Sequence, residues 1–420
     1  MRPGQVDRNL RLLFAFWFLR EFQLWVPVWI VYLTLERGFS FTQVTTAESL
    51  FLIGVIALEV PTGAIADRFG RRVSLGLGAL CLASSVTIFA FTTSPLVLFA
   101  SFAWWAVAST LMSGADMALL YDTLKAGGRE HEYERLAGRG MAIAWCGVGL
   151  ATLFGGPVAS LLDTRATILI GAVTCVIAAG VAFALWEPPR VTQEHEGGAR
   201  TYLGTMKRAF QEAWRTRALR YLMLFFGVTV AGIETVHFLV QPYLVENGIA
   251  VGTLFSLLQV PLFVAGVLGA LVAGRLERRA GSVRGLLLLG LAGTLMLGML
   301  ALSPSFWMYG ALPILMAVNA CAWPLMTGAI NRQVGSERRA TILSIASMHL
   351  SVAMALLAPA IGFSVDTWGV GAAFGLGAAA ALAGIVMFGG PALTAWRASA
   401  RQRGTGEERR GGEAEAFGGQ

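Results

Sequence analysis

Charge is what this sequence is short of. Asp, Glu, Lys and Arg make up 14% of its 420 residues while 56% are hydrophobic, where an ordinary soluble domain is about a quarter charged. With a mean hydropathy of +0.65, the chain is too apolar for a water-soluble globule of this length. Cysteine is nearly as scarce. Cys81, Cys146, Cys175 and Cys321 are the whole complement, each inside an apolar run and without metal-ligand spacing, so they read as small packing residues rather than disulfide partners or metal ligands. Also missing are a phosphate-binding glycine loop, a nucleophile elbow and an HExxH pair. Their absence argues against ATP coupling and against hydrolytic or metal-assisted enzyme chemistry, and no cofactor is implied. No cleavable leader is expected, because the first apolar segment is long enough to span and already holds Arg20 and Glu21.

What the chain has in abundance is apolar runs of about twenty residues, the length of one membrane crossing. Twelve such runs fall between residues 10 and 393. With both termini placed in the cytoplasm, all of the 32 Lys and Arg residues except Arg20, Arg37 and Arg165 lie in cytoplasmic segments, which fixes the orientation by the positive-inside rule. The net charge of +7 therefore marks loops against anionic lipid headgroups, not nucleic acid. The longest internal polar stretch, 187–218, divides six runs from six, and its part 202–217 has the pattern of an amphipathic surface helix. The expected fold is all-α and integral to the membrane: an N-terminal six-helix bundle (1–186), a cytoplasmic linker (187–218), a C-terminal six-helix bundle (219–395) and a disordered cytoplasmic tail (396–420).

The two halves repeat one another in parallel order. Tyr32-Leu33 before Gly38 recurs as Tyr243-Leu244 before Gly248, and Pro157 ahead of Asp163-Thr164 recurs as Pro359 ahead of Asp366-Thr367. A degraded copy of the first charged loop stands at 274–279, aligned so that Gly274 takes the place of Asp67.

An ionisable group inside the membrane costs at least about 2.5–3.5 kcal/mol at mid-helix, so each one needs a reason. At a rise of about 1.5 Å per residue, Arg20, Glu21 and Glu234 lie within a turn of the midplane. Glu59 and Asp116 lie one to two turns toward the cytoplasm, His237 a turn outward, and Glu48 nearer the outside, where it can snorkel. Adjacent helical residues point about 100° apart, so Arg20 and Glu21 are not expected to face each other squarely. Arg20 should seek a carboxylate on another helix, Glu59 being nearest in depth and Asp116 possible. Glu234, His237 and Gln241 share one helical stripe. Two readings of that stripe stand: a packed hydrogen-bonded pair facing helix 11, or a carboxylate and imidazole that exchange protons.

The turn at 63–72 is Gly63, three small or apolar residues, Asp67, Arg68, Phe69, Gly70, Arg71 and Arg72, with Glu59, Pro61 and Thr62 leading in. It resembles the loop between helices 2 and 3 of the major facilitator superfamily of secondary transporters, and the lead-in resembles one bacterial branch of it. The resemblance implies two six-helix halves that rock about a central site, with helices 1, 4, 7 and 10 lining the cavity. Arg20, Glu21, Asp116, Glu234, His237 and Asn319 would then form its polar wall. Glu59, Gly63, Asp67, Arg68, Gly70, Arg71 and Arg72 would form the gating loop. Trp17, Trp25 and Trp29 in helix 1, Trp104 and Trp105 in helix 4, Phe225 and Phe226 in helix 7 and Trp323 in helix 10 would give it an aromatic lining suited to a lipophilic or cationic guest. The family's helix 4 arginine is replaced by Asp116, and the helix 5 glycine signature of antiporters is present in part, as Gly147, Gly149 and Gly155-Gly156-Pro157. The expected function is export of a small amphipathic or lipophilic compound from the cell across its plasma membrane. Proton entry would drive it, with membrane lipid, protons and substrate as the partners. Proton-coupled uptake of a small polar solute, or a non-transporting membrane sensor, are the alternatives.

Overall fold

The computed structural model describes residues 4–188 and 213–399, together with 204, 210 and 211. Among these the secondary structure is helical. The first half holds α1 Gln5–Glu21, α2 Trp29–Val31, α3 Phe41–Phe69, α4 Arg71–Phe91, α5 Pro95–Met112, α6 Ala115–Ala126, α7 Tyr133–Leu161 and α8 Thr164–Phe183. The second holds α9 Arg217–Glu234, α10 Val236–Glu246, α11 Thr253–Leu257, α12 Val260–Ala280, α13 Ser282–Leu302, α14 Ala311–Gln333 and α15 Ser336–Gly384. Most of the linker and the tail lie outside the described residues.

Ten helices among the described residues are long and apolar enough to cross a membrane, against twelve apolar runs in the sequence. The difference has two sources. The last of the ten, Thr341–Ser399, counts 59 residues, or about 88 Å if straight, far more than a hydrocarbon core of about 30 Å. It turns at Gly369, whose φ of 85° and ψ of 175° are not helical, a conformation open to glycine because it has no Cβ. The first run, by contrast, is not one helix. Its α1 is 17 residues long and leaves helical geometry at Phe22 (φ −78°, ψ 69°). The chain resumes as α2 and a π-helical turn, Tyr32–Glu36. Pro27 lies in the gap, without an N–H to donate and disfavouring helical geometry in the residue before it.

The charged turn at 63–72 is tighter than a ten-residue loop. Helix α3 continues to Phe69 and α4 starts at Arg71, so Gly70 alone reverses the chain, at φ 102° and ψ 149°. Glu187 covers the new N-terminus, accepting from the Arg71 and Arg72 amides at 2.9 Å each, as favours an anion at a helix start. In the second half Gly281 (φ 75°, ψ 159°) turns the chain between α12 and α13. That register corrects the alignment of 274–279 by one helical turn: Gly274 answers to Gly63, and Arg278 stands at the place of Asp67. The tyrosines of the repeat also behave alike. Tyr32 donates to the Ala90 carbonyl at the end of α4 at 2.5 Å, and Tyr243 to the Ser305 carbonyl just past α13 at 2.6 Å.

The halves meet along α3 with α15 and along α7 with α11. One buried cluster is shared, joining Val28, Ile30 and Val31 to Ile233, Leu239 and Leu244. At the end bearing the α3 N-terminus the contact is also polar. Asp366 of the second half accepts from the Phe41 and Thr42 amides, both at 2.8 Å, and from the Thr42 hydroxyl at 2.6 Å. Its counterpart Asp163 caps its own helix, accepting from Ala166 at 2.5 Å. Gly362 of α15 lies so close to α3 that a Cβ there would stand 2.6 Å from the Thr42 Cα.

Candidate functional site

Two helix breaks and a one-residue turn place the polar residues. In the first half Arg20 and Glu21 close α1 just before its gap, and Asp116 opens α6 after α5 stops at Met112 and Gly114 takes φ 73°. Asp116 Oδ1 accepts from the Met117 amide at 2.7 Å, while Oδ2 accepts from the Trp17 indole at 2.8 Å and from Arg20 at 3.1 Å. The other side of the guanidinium donates to Glu21 Oε1, from Nε at 2.9 Å and Nη2 at 2.8 Å. Arg20 thus holds both carboxylates. It finds the carboxylate expected on another helix, which is Asp116 rather than Glu59, and its long, forked side chain reaches the adjacent Glu21 as well although the two do not face squarely along the helix. Glu59, the partner nearest in depth, is exposed on α3 and has no recorded contact with Arg20. Trp17 is 1% exposed and fits because residue 140 is glycine: a Cβ there would stand 1.9 Å from the indole.

A cavity of about 550 Å³ opens beside this triad, lined by Arg20, Glu21, Asp116, Gln23, Trp25, Trp29, Trp105 and Glu48 among others. Glu48 is a correction. Depth counting put it near the outside and free to snorkel, whereas the fold turns it into the same cavity as Arg20. Trp104 is the opposite case: it is 43% exposed and its indole donates to Ser84 on α4 at 2.9 Å, so only Trp105 of that pair lines the cavity.

In the second half α9 and α10 meet at Thr235, a one-residue turn whose φ of −55° and ψ of −23° stay right-handed helical, so that Arg217–Glu246 reads as one span. Glu234 Oε1 stands 3.3 Å from His237 Nε2, and the same nitrogen is 3.3 Å from Asn319 of α14. The pair therefore looks to helix 10 of the expected numbering rather than to helix 11. Gln241 does not join the pair: its side chain is bonded to Val26, Ile30 and Val31 of helix 1. Beside Asn319 lies a void of about 10 Å³ lined by Phe225, Phe226 and Thr229, which is room for about one water molecule. His349 is engaged elsewhere: its Nδ1 is 2.7 Å from the Ile345 carbonyl, and its ring stacks with Phe210 and Trp214, centroids 6.1 and 5.7 Å away.

Backbone polar groups freed inside a membrane must find partners in the protein, and the gap in helix 1 finds them across the two halves. Gln241 Nε2 donates to the Val26 carbonyl at 3.0 Å, and its Oε1 accepts from the Ile30 and Val31 amides at 3.0 and 3.3 Å. Gln259 donates to the Pro27 carbonyl at 3.0 Å. From α7, Gly147 and Gly155 press against the same segment, where a Cβ would stand 2.9 Å from the Phe18 carbonyl oxygen and 2.3 Å from that of Leu24. Ser256 accepts from the Gly156 amide at 2.7 Å, binding α11 to α7. The partial glycine signature of helix 5 is thus a seat for the broken helix and for the other half.

Of the gating residues, Arg71 pairs with Asp122 and donates to the Ala118 carbonyl at 2.5 Å. Arg68 lies over the Phe69 ring at 5.4 Å. Glu59 and Gly63 are exposed, and the Asp67 side chain is outside the described residues. Gln259 and Asp366, which bond one half to the other, are not among the expected site residues, and Glu48 stands there only as a side chain able to snorkel. A glutamine or proline in mid-run was the available signal, but it does not name a partner.

The family model described as Major Facilitator Superfamily matches residues 12–258 and 231–414. Among curated relatives, an uncharacterized MFS-type transporter, YxaM of Bacillus subtilis (strain 168), is 28% identical over 89 residues, which is 21% of this chain and 22% of that relative's length. Among solved structures, the nucleoside transporter NupG superposes with a TM-score of 0.75 at 17% identity, covering 94% of this chain and 99% of NupG. A D-xylose-proton symporter gives 0.66 at 16% identity, over 90% and 96% of the two chains. These matches are to membrane transporters and not to enzymes, and the fold, the helix breaks and the family model agree that this chain belongs to the major facilitator superfamily.

Proposed function

We propose that the chain crosses the cell membrane twelve times in two halves of six, with both termini cytoplasmic, and works by alternating access as a secondary active transporter. It exports a small amphipathic or lipophilic compound in exchange for protons. The observation that carries this reading is that the gap in helix 1 at residues 22–28 and the one-residue turn of helix 7 at Thr235, which keeps a φ of −55° and a ψ of −23°, each stand beside an ionisable cluster. The matched hydrogen bonds of Tyr32 and Tyr243 put them in corresponding places in the two halves, and discontinuous helices in corresponding places are the best pointer to a transporter's site. With the orientation given by the basic loops, the Asp366 seal on α3 closes the outer side, so this conformation is the inward-facing one. Glu234 is the proposed coupling group: half-open to solvent at 28% exposure here, it releases its proton when the cavity is wet and rebinds one before the cavity dries. Likeness to a nucleoside transporter and a D-xylose-proton symporter favours a second reading, uptake of a small polar solute together with protons.

A thermal-shift ligand screen on purified protein, followed by flux of each hit in proteoliposomes under an imposed pH gradient, tests both. Solute movement opposite to the protons supports export, movement with them supports uptake, and no gradient-driven movement of any stabilising hit overturns transport.

A further inference from the structure

The 550 Å³ cavity holds more acid than base. Glu21, Glu48 and Asp116 face one guanidinium, Arg20. Two of those three carboxylates are already hydrogen-bonded to it. Glu48 is not: among the described residues it has no hydrogen-bond or ion-pair partner, although it is partly buried between the buried Ala47 and Ser49. Its surroundings are aromatic. Phe51, one turn along α3 and on the same face, packs on Trp105 with centroids 5.2 Å apart. Trp105 meets Trp25 edge-on at 5.4 Å and 79°, and Trp25, Trp29 and Trp105 all line the cavity with Glu48.

A carboxylate without a countercharge is costly away from water, and indole faces attract cations. Both features ask for the same guest. We infer that this cavity binds an organic cation of lipophilic character, with Glu48 as its counter-ion and the indoles of Trp25, Trp29 and Trp105 as its walls. The site so built narrows the transport reading above, on which its physiological role rests, to positively charged substrates. The Arg20 triad does not serve as the counter-ion: Glu21 and Asp116 are already bonded to its guanidinium, which leaves Glu48 as the carboxylate open to a cation.

The test compares two probes of nearly one shape and opposite charge. Binding of radiolabelled tetraphenylphosphonium to the purified full-length protein in nonionic detergent should be saturable, and tetraphenylborate should not compete for it. Glu48→Gln should weaken binding about tenfold or more, with Glu48→Asp recovering part of the loss. Absence of saturable cation binding to the parent, equal competition by the borate, or unchanged affinity in a monodisperse Glu48→Gln would each overturn the site. The parent comparison decides even if the variants fail to fold. Binding without flux would leave the site standing and remove transport of that cation. Flux of a neutral solute without cation binding would do the reverse.

Discussion

The two halves present one polar cluster each, and they are built to different tolerances. In the first half Arg20, Glu21 and Asp116 are joined by bonds of 2.8 to 3.1 Å, with side-chain exposures of 21%, 34% and 10%. A fully buried indole and a backbone amide complete the carboxylate of Asp116. In the second half Glu234, His237 and Asn319 touch at 3.3 Å, and His237 is 50% exposed. Tight, enclosed pairs resist a change of protonation because breaking one strands the other. The difference teaches that a repeat of backbone shape need not repeat chemistry: the first half carries one cation bonded to two carboxylates beside a large cavity, the second a longer contact of one carboxylate, one imidazole and one amide.

Substitutions can sharpen or break that contrast. The largest effect is expected from Arg20→Ala, which leaves Glu21 and Asp116 without their countercharge. A loss of about 3–5 kcal/mol should show as a marked fall in Tm and in monodisperse yield, and near-parental stability would mean that the triad is not a structural unit. Next comes Glu234→Gln. Protein levels should stay close to the parent while transport driven by a pH gradient disappears; undiminished gradient-driven flux would move the coupling role to Asp116 or Glu21. A comparable loss of flux is expected from Asp67→Asn if the α3–α4 turn gates the cytoplasmic side, with normal flux in a well-expressed variant removing that role. Gln241→Ala should cost about 1–3 kcal/mol, since it frees two backbone amides and a carbonyl in the helix 1 gap. Faster amide exchange at Ile30 and Val31 is the direct reading, and unchanged protection there would show that Gln241 is no splint. The smallest effect belongs to His237→Asn, expected within about 0.5 kcal/mol of the parent because the pair is long and exposed. A larger loss of Tm would erase the distinction between the halves.

The apolar run length announced membrane helices, the basic residues ordered their ends, and the cost of charge in hydrocarbon singled out Arg20, Glu21, Asp116, Glu234 and His237 before any fold was known. All five do sit beside the helix breaks or the turn at Thr235, and they form the two clusters. Pairing was less legible. Helical-wheel angles fix where a side chain starts and not where a long one ends: Arg20 reaches both Glu21 beside it and Asp116 on α6, and Gln241 reaches the helix 1 gap. Trp104 and Trp105, adjacent on unbroken α5, do follow the wheel and meet different neighbours, Trp104 toward Ser84 of α4 and Trp105 toward the cavity.

What the sequence by itself determined is which segments leave water, because hydrophobic transfer is a sum over local composition. It also determined where the chain can turn, through Gly70, Gly281 and Gly369, whose φ values of 102°, 75° and 85° favour glycine. Tertiary structure alone decided which polar groups meet. The helix 1 gap is tolerable only because Gln241 and Gln259, far along the chain, reach its carbonyls and amides. Glu48 faces a cavity rather than lipid because α3 packs between α5 and α15. Such outcomes depend on distances between segments remote in sequence, and no local property of a segment encodes them.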